Sequence, residues 1–322
     1  MSVRPIFIFS APRSGSTLLQ RALAAHPEIA TASEPWLLLP MLTPLYHDLP
    51  APGVRDPLIH DALADFITEL PKRREDYRAA IRDCALALYD GVSDQQATYF
   101  VDKTPLYHLV VDEIFATFPE GKFLFLFRNP LSVIASCVEL FDNGRWEVAR
   151  YHAALFQSFA YLAPASLRYA SRSLTVRFED LVSREEAPWK RIFEYLELPW
   201  DPRITEQFSN VKLRGQMGDR SGVSAYSGLS QEPLEKWRST ICNPVRRRWC
   251  SRYLQWLGRE RLATMGYDLD DLQAQLNTAS RCRHSAAGDA RVMAASFVRE
   301  LVKARLPRYN SRASTWRALL RG

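Results

Sequence analysis

Apolar residues collect along this chain in short unbroken runs set between longer stretches of helical spacing. Ile6–Phe9, Ile29–Ala32, Tyr99–Val101, Lys122–Phe127 and Leu174–Phe178 are the runs. A continuous apolar run of this length reads as a strand covered on both faces, the pattern of a parallel sheet. Between them the apolar positions move to a period near 3.6. Examples are Leu63, Phe66, Ile67 and Leu70, and then Ile81, Cys84, Ala85 and Leu88. Helices are expected at 16–25, across about 56–89, at 106–118 and 130–141, as one long element over 146–168, near 187–196, and from 233 to about 257. Strands alternating with helices predict an α/β fold: three layers, a central parallel sheet, helices on both faces. Residues 37–98 read as a helical insert or cap within a domain spanning 1–279, and 280–322 as a helical C-terminal extension. The Gly- and Ser-rich stretch 211–230 reads as a mobile loop.

The join after the first run carries chemistry. Ser10-Ala11-Pro12-Arg13-Ser14-Gly15-Ser16-Thr17 links strand 6–9 to helix 16–25. A strand, a loop of small residues and a helix start aim several backbone N–H groups and the positive helix end at one point, which makes an anion site. Laid on the nucleotide P-loop pattern G-x-x-x-x-G-K-[ST], the segment keeps Gly15 and Thr17. It has Ser10 in place of the first Gly and Ser16 in place of the Lys. Arg13 is the one cation inside it. A triphosphate needs the missing Lys and a Mg²⁺, so this P-loop-like turn suits a less charged end group. Further on, run 122–127 ends in Arg128-Asn129-Pro130, and the helix that Pro130 opens carries Ser136. An Arg at a strand's carboxyl end lies where open α/β sheets bind ligands, and its planar fork suits a phosphate.

These two motifs, in this order and about 110 residues apart, resemble those of the sulfotransferases that use 3′-phosphoadenosine 5′-phosphosulfate (PAPS). The resemblance implies that Arg13 and the N–H groups of Ser14, Gly15, Ser16 and Thr17 hold the 5′-phosphosulfate. It implies that Arg128 and Ser136, eight residues apart, hold the 3′-phosphate. His26-Pro27-x6-Glu34 resembles the H-P-x(6)-E stretch of tyrosylprotein sulfotransferases and related bacterial enzymes, whose Glu is the general base. Asp102-Lys103-Thr104-Pro105 resembles the place where the family sets a Lys against the leaving phosphate oxygen, and His108 is the alternative base. Lys236 resembles the Lys that closes over the nucleotide after a mobile loop, with Ser227 and Gly228 inside that loop. Phe178 stands where relatives commonly carry Tyr near the adenine, and it keeps the stacking face without the hydroxyl. Trp36, Tyr46, Tyr107 and Trp146 are acceptor-binding candidates by position. The implied reaction moves a sulfuryl group from PAPS to the hydroxyl of a carbohydrate or small molecule, with no metal, and releases adenosine 3′,5′-bisphosphate. The alternatives are a peptide-tyrosine sulfotransferase sharing every motif, a P-loop kinase, and a non-catalytic nucleotide-binding protein.

Charge changes this picture only at one end. The chain has 322 residues and a formal net charge of +6, but residues 280–322 hold ten Lys/Arg against two Asp/Glu. The body therefore sums to −2, which gives no basic face for nucleic acid. In the extension Met293, Phe297 and Leu301 follow helical spacing beside Arg299, Lys303 and Arg305. Such a helix packs on its own domain or on a partner subunit, as in a homodimer, or lies on an anionic membrane surface. Five cysteines without a C-x-x-C pair read as scattered reduced thiols. The chain opens directly on its first core strand, with no signal-peptide run, and the expectation is a bacterial cytoplasm.

Overall fold

The five apolar runs become five strands: β1 Arg4–Ser10, β2 Ile29–Thr31, β3 Tyr99–Asp102, β4 Lys122–Phe127 and β5 Ser173–Arg177. A computed structural model describes residues 2–46, 57–151, 153–183, 185–215, 217, 229–278 and 285–305. The strands form one sheet in the order β2-β3-β1-β4-β5, and every pairing is parallel. The register sets Ile6 beside Lys122 and Arg4 beside Tyr99, so β1 lies at the centre. Alternation along β1 and β4 then feeds two cores. Phe7, Phe9, Phe123 and Phe125 face one way, onto Phe115 and Phe118, with Phe115 and Phe123 stacked at 3.9 Å. Ile6, Ile8, Leu124 and Leu126 face the other way, onto Leu19, Leu23, Trp189 and Phe193. Each such side chain contributes about 1.5–3 kcal/mol by leaving water, and it explains why these runs show no polar alternation.

Chain order makes the site. After β1 the helix Ser16–Leu23 leads to β2 at the sheet's edge. After β3 the chain crosses β1 to build β4 on its far side. The order reverses at β1, and all five carboxyl ends lie along one rim, the position at which open sheets receive ligands.

The structure differs from expectation in two places. Residues 146–168 are not one helix: a 3-10 turn at Val148–Tyr151 and a π-helical turn at Ala153–Gln157 precede the α-helix Ser158–Arg168. Aromatic packing of Phe156 on Tyr253 and Trp256, together with a hydrogen bond from the Tyr253 hydroxyl to the Leu155 carbonyl, fixes the irregular stretch. Cys242 is disulfide-bonded, whereas Cys84, Cys137 and Cys250 are free. The helix Ala286–Arg305 is pinned to the body by a buried ion pair. Arg246 gives Nε to Asp289 Oδ2 at 2.6 Å and Nη2 to Oδ1 at 3.0 Å, and Asn243 adds a further bond at 2.6 Å. No helix among the described residues is long and apolar enough to cross a membrane.

Candidate active site

The loop after β1 turns through two left-handed residues, Arg13 (φ 69°) and Gly15 (φ 89°). Gly15 is required twice over. The φ suits glycine, and a Cβ there would stand 2.2 Å from Cδ2 of Phe178. Gly15 is the N-cap of the helix Ser16–Leu23, and no side chain caps that helix. Its first-turn N–H groups are left for a ligand, the arrangement that binds anions. The Ser14 hydroxyl is buried and finds no partner among the described residues.

Arg128 follows β4 directly and reaches back to this loop. Its Nη1 donates to the Arg13 carbonyl at 2.9 Å and its Nη2 to the Pro233 carbonyl at 3.0 Å, and its guanidinium lies 4.5 Å over the Phe178 ring. Asn129 caps the helix Pro130–Asp142 by accepting the Leu131 N–H at 2.9 Å. That helix presents Ser136, whose Oγ accepts Arg13 Nε at 3.2 Å. Arg13, Arg128 and Ser136 therefore form one cluster. Phe178 packs between Gly15 and Arg128, so its aromatic face serves to hold the arginine.

The second half of the site comes from the ends of β2 and β3. Gln20 on the first helix holds the exit of β2 by donating to Thr31 Oγ1 and to the Ala32 carbonyl, at 2.8 and 2.7 Å. Two residues beyond, Glu34 Oε1 accepts Lys103 Nζ at 2.6 Å. The side chains are 11% and 2% exposed, so this ion pair is largely out of water. Trp36, at φ 55°, donates its indole N–H to the other oxygen of Glu34 at 3.3 Å. Beneath Lys103 the Asp102 carboxylate is fully buried, and burial pushes its pKa up to about 6.

A cavity of about 720 Å³ joins both halves. Its wall includes Arg13, Gly15, Ser16, Thr17, Glu34, Lys103, Arg128, Ser136, Phe178 and Lys236. The sequence candidates split at this wall. Trp36 stands behind Glu34. Tyr107 and Trp146 are fully buried, held by Asp102 and by packing against Arg246 and Trp249. Tyr46 is off the wall as well, and none of these four contacts the cavity. His108 is buried beside Pro105 and Ser158, and burial pulls its imidazole down to about 4, so it does not reach the cavity as a base. The described residues of the 37–98 insert do not line the cavity either. Their helices back the aromatic core instead. Ser227 and Gly228 lie outside the described residues.

Sequence reasoning missed the far end of the helix that carries Ser136. Ser132, Ser136, Glu139 and Leu140 recur at i, i+4, i+7 and i+8 along one face, all on the cavity wall, and the exposed Phe141 extends it. That spacing was the available signal. Exposed Met217 also lines the cavity.

Comparison with known proteins gives this geometry a family. Residues 5–202 match the model of the sulfotransferase family. Over 262 residues the chain is 33% identical to nodulation protein NoeE of Sinorhizobium fredii, covering 73% of this chain and 60% of that protein. It is 25% identical to protein-tyrosine sulfotransferase A of Caenorhabditis elegans, covering 74% and 62%. The chain thus spans about three fifths of the length of these relatives. Among solved structures, the sulfotransferase domain of the Synechococcus PCC 7002 olefin synthase superposes with a TM-score of 0.52 at 25% identity, covering 76% of this chain and 90% of that domain. Because the family match runs from β1 through β5 and takes in Arg13, Glu34, Lys103 and Arg128, the chain belongs to the sulfotransferase family.

Proposed function

We propose that this chain is a PAPS-dependent sulfotransferase that sulfates the hydroxyl of a carbohydrate or another small molecule, with Glu34 as general base. The observation that carries the reading is that a buried carboxylate–ammonium pair and an arginine-rich anion cradle open onto the same cavity. The fit is good on three counts. The volume is in the range of ligand sites, the first helix has no side-chain cap, and the buried Ser14 hydroxyl has no partner among the described residues. PAPS supplies an activated sulfuryl group when bound. Arg13 and the N–H groups of Ser14–Thr17 hold its 5′ end, and Arg128 with Ser136 hold its 3′-phosphate. Phe178 fixes Arg128 in place, and Lys236 reaches in from the exposed rim.

Glu34 takes the proton of the acceptor hydroxyl as that oxygen forms its bond to sulfur. Lys103 carries three N–H donors, of which Glu34 takes one. The others stabilise the oxygen on which charge grows as the old bond to sulfur breaks, a role worth more in a water-poor site. The rim residues Leu140, Phe141 and Met217 are apolar and exposed, which suits a small hydroxyl-bearing acceptor better than an acidic peptide. The protein-tyrosine sulfotransferases among the relatives support peptide tyrosine as the second reading.

The test is calorimetric titration with adenosine 3′,5′-bisphosphate, ADP and ATP, with and without Mg²⁺, followed by sulfate transfer from labelled PAPS to panels of sugars, phenols and tyrosine peptides. Metal-independent preference for the 3′-phosphorylated nucleotide supports the reading. Preference for ATP with Mg²⁺ returns the loop to the kinase class, and nucleotide binding without turnover of any acceptor makes the chain a binding protein. A bacterial cytoplasmic location, a homodimer and contact of the basic extension with anionic lipid belong to the same proposal. Light scattering and vesicle co-sedimentation test the last two.

A further inference from the structure

Asp102 is the only carboxylate in the molecule, among the described residues, that receives three side-chain hydroxyls. Tyr89 OH donates to Oδ2 at 2.5 Å, Tyr107 OH to Oδ2 at 2.7 Å, and Thr104 Oγ1 to Oδ1 at 3.3 Å. Tyr89 comes from the insert helix Arg74–Val92, Tyr107 from the 3-10 turn Tyr107–Val110, and Thr104 from the segment after β3. A hydroxyl has one proton and two lone pairs. With their protons committed to Asp102, the hydroxyls of Thr104 and Tyr107 can only accept from elsewhere. What they accept are two backbone N–H groups of one short loop: Trp36 N–H on Thr104 Oγ1 at 3.2 Å and Leu38 N–H on Tyr107 OH at 3.3 Å. That loop holds Trp36 at a left-handed φ of 55° and carries Glu34, whose second oxygen takes the Trp36 indole N–H.

We infer that Asp102, through the hydroxyls of Thr104 and Tyr107, is a positioning residue that sets the loop of Glu34 and thereby aims its carboxylate at the acceptor. The role rests on the function proposed above and reaches the chemistry only through other residues. The charged and titratable groups facing Asp102 are Tyr89, Tyr107 and the adjacent Lys103. Only the ionised carboxylate accepts from all three hydroxyls at once. Protonated, it becomes a donor, and one hydroxyl must turn its own proton away.

Asp102→Asn keeps the volume and replaces one acceptor oxygen with an NH₂ donor, which reverses the polarity of at least one hydroxyl. The expected result is a fall in kcat of tenfold or more, with the Kd for adenosine 3′,5′-bisphosphate within twofold of the parent. Because burial disfavours the charge of Asp102, the variant's thermal midpoint at pH 7 should not drop. A residue that merely held the fold together would lower the midpoint and weaken nucleotide binding with it. Thr104→Val should lose part of kcat and Thr104→Ser should recover it, a pair that decides the matter even if Asp102→Asn fails to fold. An unmoved kcat in both Asp102→Asn and Thr104→Val overturns the inference. The indole ¹⁵N–¹H resonance of Trp36, assigned with Trp36→Phe, gives a readout without turnover. It should shift in Asp102→Asn, and a fixed resonance overturns the inference. If the parent protein sulfates nothing, the proposed function fails and this resonance alone decides the role of Asp102.

Discussion

The two halves of the cavity are built on different principles. The half proposed for the donor, from Ser10 to Thr17 and at Arg128, leans on backbone. It uses two left-handed residues, an uncapped helix and a guanidinium tethered by main-chain carbonyls. The half proposed for the acceptor rests on side chains, with Glu34 and Lys103 paired to each other and the loop of Glu34 held by the hydroxyls of Thr104 and Tyr107. Backbone donors keep their positions whatever the pH, which suits the grip on an anion. The proton transfer proposed for Glu34 needs a titratable group, and only side chains supply one.

Substitutions can break this contrast, and the largest effect should come from the acceptor half. Glu34→Gln keeps the shape and an acceptor for Lys103. It should lower kcat by about 10²–10⁴-fold, the range for loss of a general base, with nucleotide affinity unchanged by calorimetry. Glu34→Ala is the poorer test, since stranding a buried Lys103 adds about 3–5 kcal/mol of destabilisation. On the donor half Arg128→Ala should weaken adenosine 3′,5′-bisphosphate by about 1.5–3 kcal/mol, the loss of a charged hydrogen bond, while kcat at saturating donor changes little. If kcat falls as far as in Glu34→Gln, the halves are not separable. Gly15→Ala should lower the thermal midpoint by the equivalent of about 1–3 kcal/mol, as in an overpacked core. The paired change Phe178→Leu should restore part of it, because the clash is with that ring. The smallest effect belongs to exposed Lys236. Lys236→Ala should reduce nucleotide affinity by less than about 1 kcal/mol, as for a solvated charge, and flatten its salt dependence.

Titration sharpens the contrast in another way. Burial raises the Asp102 pKa from 3.8 to about 6, so between those values the folded chain binds a proton that the unfolded chain releases. Stability from this group is present at the acid end of that window and declines as pH rises through about 6. Activity should run the other way and fall as Asp102 protonates. Because His108, held down to about 4, tilts the parent's melts the other way, the test is the difference between parent and Asp102→Asn. The parent's melting temperature relative to the variant should decline as pH rises from 4 to 6, while the parent's rate rises.

The anion cradle was legible in the sequence because most of it is contiguous. A strand, a glycine turn and a helix follow one another within 20 residues, and Arg128 stands just before the N-cap of the helix that carries Ser136. The five strands were legible because burial on both faces leaves unbroken apolar runs. The acceptor half was legible only as far as Glu34 and Lys103, through motifs. What holds them in place joins Trp36 to Thr104 and Leu38 to Tyr107, separations of 68 and 69 residues that no local pattern records. Aromatic residues misled for a related reason. Tyr107 and Trp146 look like contacts for a ring, yet the fold uses both inside the core, where their area stabilises most. At 146–168 an apolar spacing compatible with one helix did not record the 3-10 and π turns that tertiary packing imposes.

The ion pair between Arg246 and Asp289 decides where this polypeptide can be shortened. Arg246 has no exposure to solvent, and Gly144 and Thr240 carbonyls complete its shell. A fragment stopped at residue 279 keeps the guanidinium and discards its carboxylate. It should express poorly or aggregate, whereas one ending after Arg305 retains both. Affinity tags and fusion partners belong beyond that residue, and a deletion series read by yield and melting temperature should show its step between 279 and 305.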